Sequence, residues 1–156
     1  MIYLFIPLLI FGVDIIIKGY MEERKPDGYQ REILGGRILL CKSHNQGAML
    51  NLLEKHRQLV AGFSLGLTVC LVAAHLYLSG KKGMHLLKCG LAFVIGGACS
   101  NVYDRMVRHY VVDYFSFRVK WEKLRKIVFN LGDLFIFLGT FFIILWNTLR
   151  KSVKHF

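Results

Sequence analysis

Four long apolar runs, parted by polar and basic stretches, organise this chain. Residues 2–20, 58–78, 84–103 and 131–149 each approach the length that a helix needs to cross a bilayer, about twenty apolar residues. The pattern predicts a single membrane domain, all-α, with four transmembrane helices. Ser79-Gly80-Lys81-Lys82-Gly83 is a tight loop, so the second and third spans are expected to be antiparallel neighbours. Gly90, Gly96, Gly97, Ala98 and Ser100 crowd the third span. Small side chains let helix backbones approach closely in a membrane, so this helix is expected to be central. The first span lacks a basic leader and a small-residue cleavage site, and is expected to be retained.

Two polar segments, residues 21–57 and 104–130, complete the layout. Pro26-Asp27-Gly28 and Gly35-Gly36 are turn signals. Around them Ile33-Leu34 and Arg37–Cys41 have the look of short strands, which predicts a small, partly β extramembrane element. Asn45-Gln46-Gly47-Ala48 forms a compact polar turn leading into Met49-Leu50.

Composition agrees with the membrane reading. The 156 residues are 54% hydrophobic, and the mean hydropathy is +0.43. A net charge of +11 would suggest nucleic acid in a soluble protein. Here most Lys and Arg lie between the apolar runs, where anionic lipid head groups are the expected partner, and no nucleic acid. Arg118, Lys120, Lys123, Arg125 and Lys126 cluster around Trp121 with Glu122 as the one acid; the segment reads as a membrane-surface contact, a solvated loop being the alternative. Charge alone does not orient the chain, because the longer loops carry more Lys and Arg than the tight loop and tail, so the positive-inside rule is unhelpful or points the other way.

Candidate chemistry is confined to carboxylates, amides and arginine. The four cysteines and six histidines are scattered without metal spacing, and no Ser-His-Asp set, P-loop or dinucleotide turn is present, so no metal or cofactor is expected. Three of the five aspartates, Asp104, Asp113 and Asp133, lie against apolar runs. Carboxylates at the edge of hydrocarbon are usually paired, hydrogen-bonded or functional. Asp14 and Lys18 stand four residues apart in the first span, either as an internal ion pair or with Asp14 facing a site. Asn101, Asp104 and Arg105 share a helical face at the membrane edge, where Arg105 is expected to neutralise Asp104. Asp113 and Asp133 sit at the exits of adjacent spans and are expected to meet at one membrane face. Two carboxylates in one site share a proton, one serving as base towards water while the other polarises a carbonyl. Asn130 is placed to orient a carboxylate or to bind substrate backbone. Spacing alone leaves structural ion pairing open as the alternative.

Four blocks, in order, carry a resemblance. GVDIIIK resembles the D-x-x-x-K of the signal peptidase II family, and NQGAM its NxGAAF. GGACSNVYDR…VVDY and FNLGD resemble GGALGNxxDR…VVDF and FNxAD. The resemblance implies Asp113 and Asp133 as a catalytic aspartate pair. It implies site-shaping or substrate-binding roles for Asn45, Asn101, Arg105 and Asn130, and supporting ones for Asp14, Lys18, Gly47 and Asp104. It further implies a bacterial cytoplasmic-membrane endopeptidase, its site at the outer face, that removes signal peptides from diacylglyceryl-modified prolipoproteins at the lipid-modified cysteine. A monomer is expected. The rival reading is a catalytically silent paralogue that binds lipopeptides or partner membrane proteins. The sequence departs from the pattern at Gly132 (usually Ala), at Ser100 (usually Gly) and in NQGAML, which lacks the second Ala and the aromatic. The separation of the two aspartates is also slightly long.

Overall fold

The computed structural model describes residues 2–47 and 54–154. Four of its helices are long and apolar enough to cross a membrane: α1 (Ile2–Arg24), α2 (Arg57–Ser79), α3 (His85–Val107) and α5 (Leu131–Lys154). A short α4 (Glu122–Arg125) precedes the last. Three strands, β1 (Gln30–Ile33), β2 (Ile38–Asn45) and β3 (Val111–Phe117), form one antiparallel sheet in the order β1-β2-β3. The chain is thus a multi-pass, mostly helical membrane protein with a small sheet. Ala48, Met49 and Leu50 lie outside the described residues.

The third span is central, as its small residues predict. More than half of its apolar stretch is buried, against less than a fifth in each of the others. A Cβ on Gly97 would strike the Gly132 carbonyl of α5, and one on Gly139 would strike the Gly90 carbonyl of α3. Glycine at both levels therefore lets α3 and α5 touch backbone to backbone. Gly96 does the same towards α1, where Ile10 and Pro7 lie within 3.1 Å of the position a Cβ would take.

Two boundaries differ from expectation, and both matter for the site. The third helix runs one turn further, to Val107, so Asp104 and Arg105 are helical and not the start of a loop. The segment after it, expected as irregular chain, contains β3. Six of its seven residues, Val111–Ser116, are buried because the strand is covered on both faces. Met21 of α1 packs with Val112, Tyr114, Phe115 and Phe129 into the core beneath the sheet. His75, near the end of α2, is buried and hydrogen-bonds the Tyr3 carbonyl at 3.0 Å.

Sheet register then sets one pair of site residues. Ser43 faces Asp113 and Asn45 faces Val111, after a shift of register between Leu40 and Ser43. Asn45 and Asp113 are therefore diagonal neighbours on one face of the ladder, within side-chain reach.

Candidate active site

Asp113 reaches the site from β3 and Asp133 from the first turn of α5; Asn130 connects them. Its Nδ2 donates to Asp113 Oδ1 at 2.7 Å, while its Oδ1 accepts from the Asp133 backbone N–H at 2.9 Å. The Asn130 N–H in turn donates to Asp133 Oδ2 at 3.1 Å. This is a reciprocal cap on α5, built from Asn at the cap and Asp three residues on. The helix terminus also favours negative charge at that position.

Two more amides complete the arrangement. Asn45 Nδ2 donates to Asp113 Oδ2 at 3.1 Å, with its Oδ1 held by the Gly47 N–H at 3.2 Å. Asn101 Nδ2 donates to Asp133 Oδ1 at 2.9 Å, with its Oδ1 held by Lys18 Nζ at 2.8 Å. In each of the three asparagines a second contact takes the amide oxygen and so leaves the NH₂ aimed at a carboxylate. All four aspartate oxygens receive a donor.

The two carboxylates line one cavity of about 90 Å³ with Asn45, Asn101 and Arg105. That is room for a few waters. Burial, with the Asp133 charge nearby, pushes the Asp113 carboxyl up to about 7, against the pull of the two amides. The expected meeting of the two aspartates at one site is thus found.

Behind the cavity lies a buried ionic chain. Lys18 Nζ stands 3.1 Å from Asp14 Oδ2, 3.1 Å from Asp104 Oδ2 and 2.9 Å from Ser100 Oγ, besides Asn101. Arg108 pairs with the other Asp104 oxygen at 2.5 Å, so two carboxylates and two cations balance. Of the two readings of Asp14 and Lys18, the internal ion pair is the one observed. It also fixes the Asn101 amide.

The expected pairing of Asp104 with Arg105 is not found. Asp104 turns towards α1, where it accepts from Lys18 and Arg108 and from the Val112 N–H at 3.0 Å. Arg105 turns the other way and donates to the carbonyls of Asn101 and Gly47, each at 3.2 Å. It makes no ion pair among the described residues. Neighbours on a helix point about 100° apart, so Asp104 and Arg105 face different partners.

Sequence reasoning missed two hydroxyls. Ser100 Oγ–H donates to Asp14 Oδ2 at 2.5 Å. Tyr114 O–H donates to Asp14 Oδ1 at 2.8 Å and accepts from the Leu131 N–H at 2.8 Å. The signal was present: Ser replaces the Gly of GGALGN, and Tyr replaces the Phe of VVDF. The third departure converges on the same place. A Cβ on Gly132 would come within 3.0 Å of Asp14 Oδ2 and of Asn130 Oδ1. Glycine leaves that space to the polar atoms.

A cleft of about 310 Å³ runs from Asp133 between α2, α3 and α5, with Phe63, Leu67, Val94 and Ile136 among its walls. A second cavity of about 540 Å³ lies on the other side of Arg105.

Comparison with known proteins gives these features a family. Residues 6–149 match the sequence profile of signal peptidase (SPase) II. A lipoprotein signal peptidase of Clostridioides difficile is 30% identical over 97% of this chain and 98% of its own length. Its counterpart in Brucella ovis is 34% identical over 97% and 94%. A solved bacterial membrane enzyme shares the fold with a TM-score of 0.82 at 19% identity, covering 97% of this chain and 90% of that one. The chain belongs to the signal peptidase II family and is a membrane-embedded protease.

Proposed function

We propose that this protein is an aspartic endopeptidase that removes signal peptides from diacylglyceryl-modified prolipoproteins at the lipid-modified cysteine. Asp113 and Asp133 are its catalytic pair. One observation carries the reading: both carboxylates line one small cavity and are tied to the same asparagine. The name lipoprotein signal peptidase, carried by the relatives, supports prolipoproteins as substrates.

Asp113, raised to about 7 by burial and by its neighbour, holds the shared proton at rest. Asp133 accepts a proton from water as the water oxygen attacks the scissile carbonyl carbon, and Asp113 gives its proton to the carbonyl oxygen. Collapse of the tetrahedral diol returns that proton to Asp113, passes the other from Asp133 to the leaving nitrogen and breaks the C–N bond. Asn101 and Asn45 hold the carboxylates in register throughout. The apolar cleft beside Asp133 suits the signal helix or acyl chains arriving from the membrane. We place the enzyme in the bacterial cytoplasmic membrane as a monomer, with the sheet and the site at the outer face.

The test is cleavage of a purified diacylglyceryl-modified substrate by wild type, Asp113→Asn and Asp133→Asn. An amide keeps the carboxylate's shape but cannot take a proton from water. Both variants are expected to insert and fold, and to lose turnover by at least three orders of magnitude, more than one general acid–base group commonly contributes at the low end. Near-normal turnover in either would remove it from the pair.

A further inference from the structure

Arg105 separates two spaces of opposite character. On one side are the aspartates and the apolar cleft between helices. On the other is the cavity of about 540 Å³, whose walls include Gln46, Arg57, Gln58, Arg105 and His109 and, among the described residues, no acidic one. Arg57 and His109 are exposed, and neither side chain has a hydrogen-bond or ion-pair partner among the described residues. His109 follows the last turn of α3 with a φ of 66°, a left-handed backbone that non-glycine residues seldom adopt. Two basic side chains with no partner among the described residues thus stand, with the Arg105 guanidinium, around a space that shares Arg105 with the cavity of the two aspartates.

We propose that this cavity is a specificity subsite for acidic side chains on the mature side of the cleaved bond. This rests on the reading of the chain as a prolipoprotein peptidase. A substrate whose signal helix lies in the apolar cleft passes its scissile bond over the aspartates, and its following residues leave past Arg105 into the basic cavity. Arg57 and His109 then meet a carboxylate there, and Gln58 meets a peptide group. The exposed Gln58 amide favours a peptide over a lipid phosphate as the occupant, because an amide offers an acceptor as well as donors and a phosphate brings acceptors only.

The experiment uses lipopeptides that differ only in the two residues after the diacylglyceryl-cysteine: Asp-Glu, Ser-Ser or Lys-Lys. Equilibrium binding to the purified full chain in neutral detergent gives the ranking, and cleavage is followed separately. The expected order is acidic, neutral, basic, with roughly three- to ten-fold between the extremes, the scale of two or three exposed ion pairs. Raising salt should compress it, and Arg57→Gln with His109→Gln should collapse it. Equal binding of all three peptides, or a ranking unchanged in the double variant, would overturn the subsite. So would loss of the ranking on adding phosphatidylglycerol at constant salt, which would give the cavity to lipid phosphate. Failure of the enzyme reading shows differently, as ranked binding without cleavage.

Discussion

Asp113 is the residue on which the pH behaviour turns. Its two oxygens accept from Asn45 and Asn130, which favours the charged form, yet burial and the Asp133 charge outweigh them and lift it to about 7 from an ordinary 3.8. If Asp113 supplies the proton to the scissile carbonyl, kcat/KM should fall about tenfold per pH unit above about 7. A pH–rate profile flat to pH 9 would give the proton to another group. The same shift acts on stability. The folded protein holds a proton that the unfolded chain has released, so rising pH withdraws stability between about 4 and about 7. Asp113→Asn has nothing to titrate, and thermal melts in detergent should show its advantage over wild type growing across that window. Much of this site is legible in the sequence, because carboxylates beside apolar runs are conspicuous in a membrane protein. The amide orientations are not, since they depend on which group takes each oxygen.

At the scale of elements, the site exists because a strand and a helix terminus are clamped together. Tyr114 is the clamp: from β3, next to Asp113, its hydroxyl reaches Asp14 of α1 and the Leu131 N–H that opens α5. Tyr114→Phe restores the residue of the VVDF pattern and should still fold. It should lower stability by about 2 kcal/mol, the scale of a hydrogen bond to a charged group, and reduce kcat more than it changes KM. An unaltered melt would show that the hydroxyl fixes nothing. Asp104 works on the same joint by holding Lys18, Arg108 and the start of β3. Asp104→Asn is therefore expected to cost about 3 kcal/mol or more, as does breaking a buried pair, while Arg105→Gln should chiefly impair cleavage. Equal losses of stability in the two would favour the pairing that spacing alone suggests. β3 itself escaped sequence reading for a physical reason. VVDYFSF is buried on both faces and shows no apolar–polar alternation, which is the signal that marks a half-exposed strand. The β1 and β2 hairpin was legible because Gly35-Gly36 punctuates it.

Across the whole molecule, charge is distributed as the bilayer requires: balanced inside the bundle, in excess at its edges. The Lys18 chain neutralises itself in the interior, so the net charge of +11 is carried largely outside the spans. The segment Arg118–Lys126 concentrates part of it. Arg118 is partly engaged, pairing with Glu32 of β1 at 2.8 Å and giving its N–H to the Arg37 carbonyl, which ties the segment to the sheet. Lys120, Lys123, Arg125 and Lys126 remain exposed on or beside α4, and Trp121 is 78% exposed. A bare indole flanked by cations suits the interface between head groups and water. Each Lys or Arg near an anionic surface contributes about 1 kcal/mol there. Held in this way, α4 would steady the chain between β3 and α5, and with it the spacing of Asp113 and Asp133. Replacing Lys120, Lys123, Arg125 and Lys126 with Gln, and leaving Arg118 on Glu32, should then lower activity several-fold in vesicles rich in phosphatidylglycerol and little in neutral detergent. An equal effect in both media would mean that the segment acts through the sheet alone and not through the membrane surface.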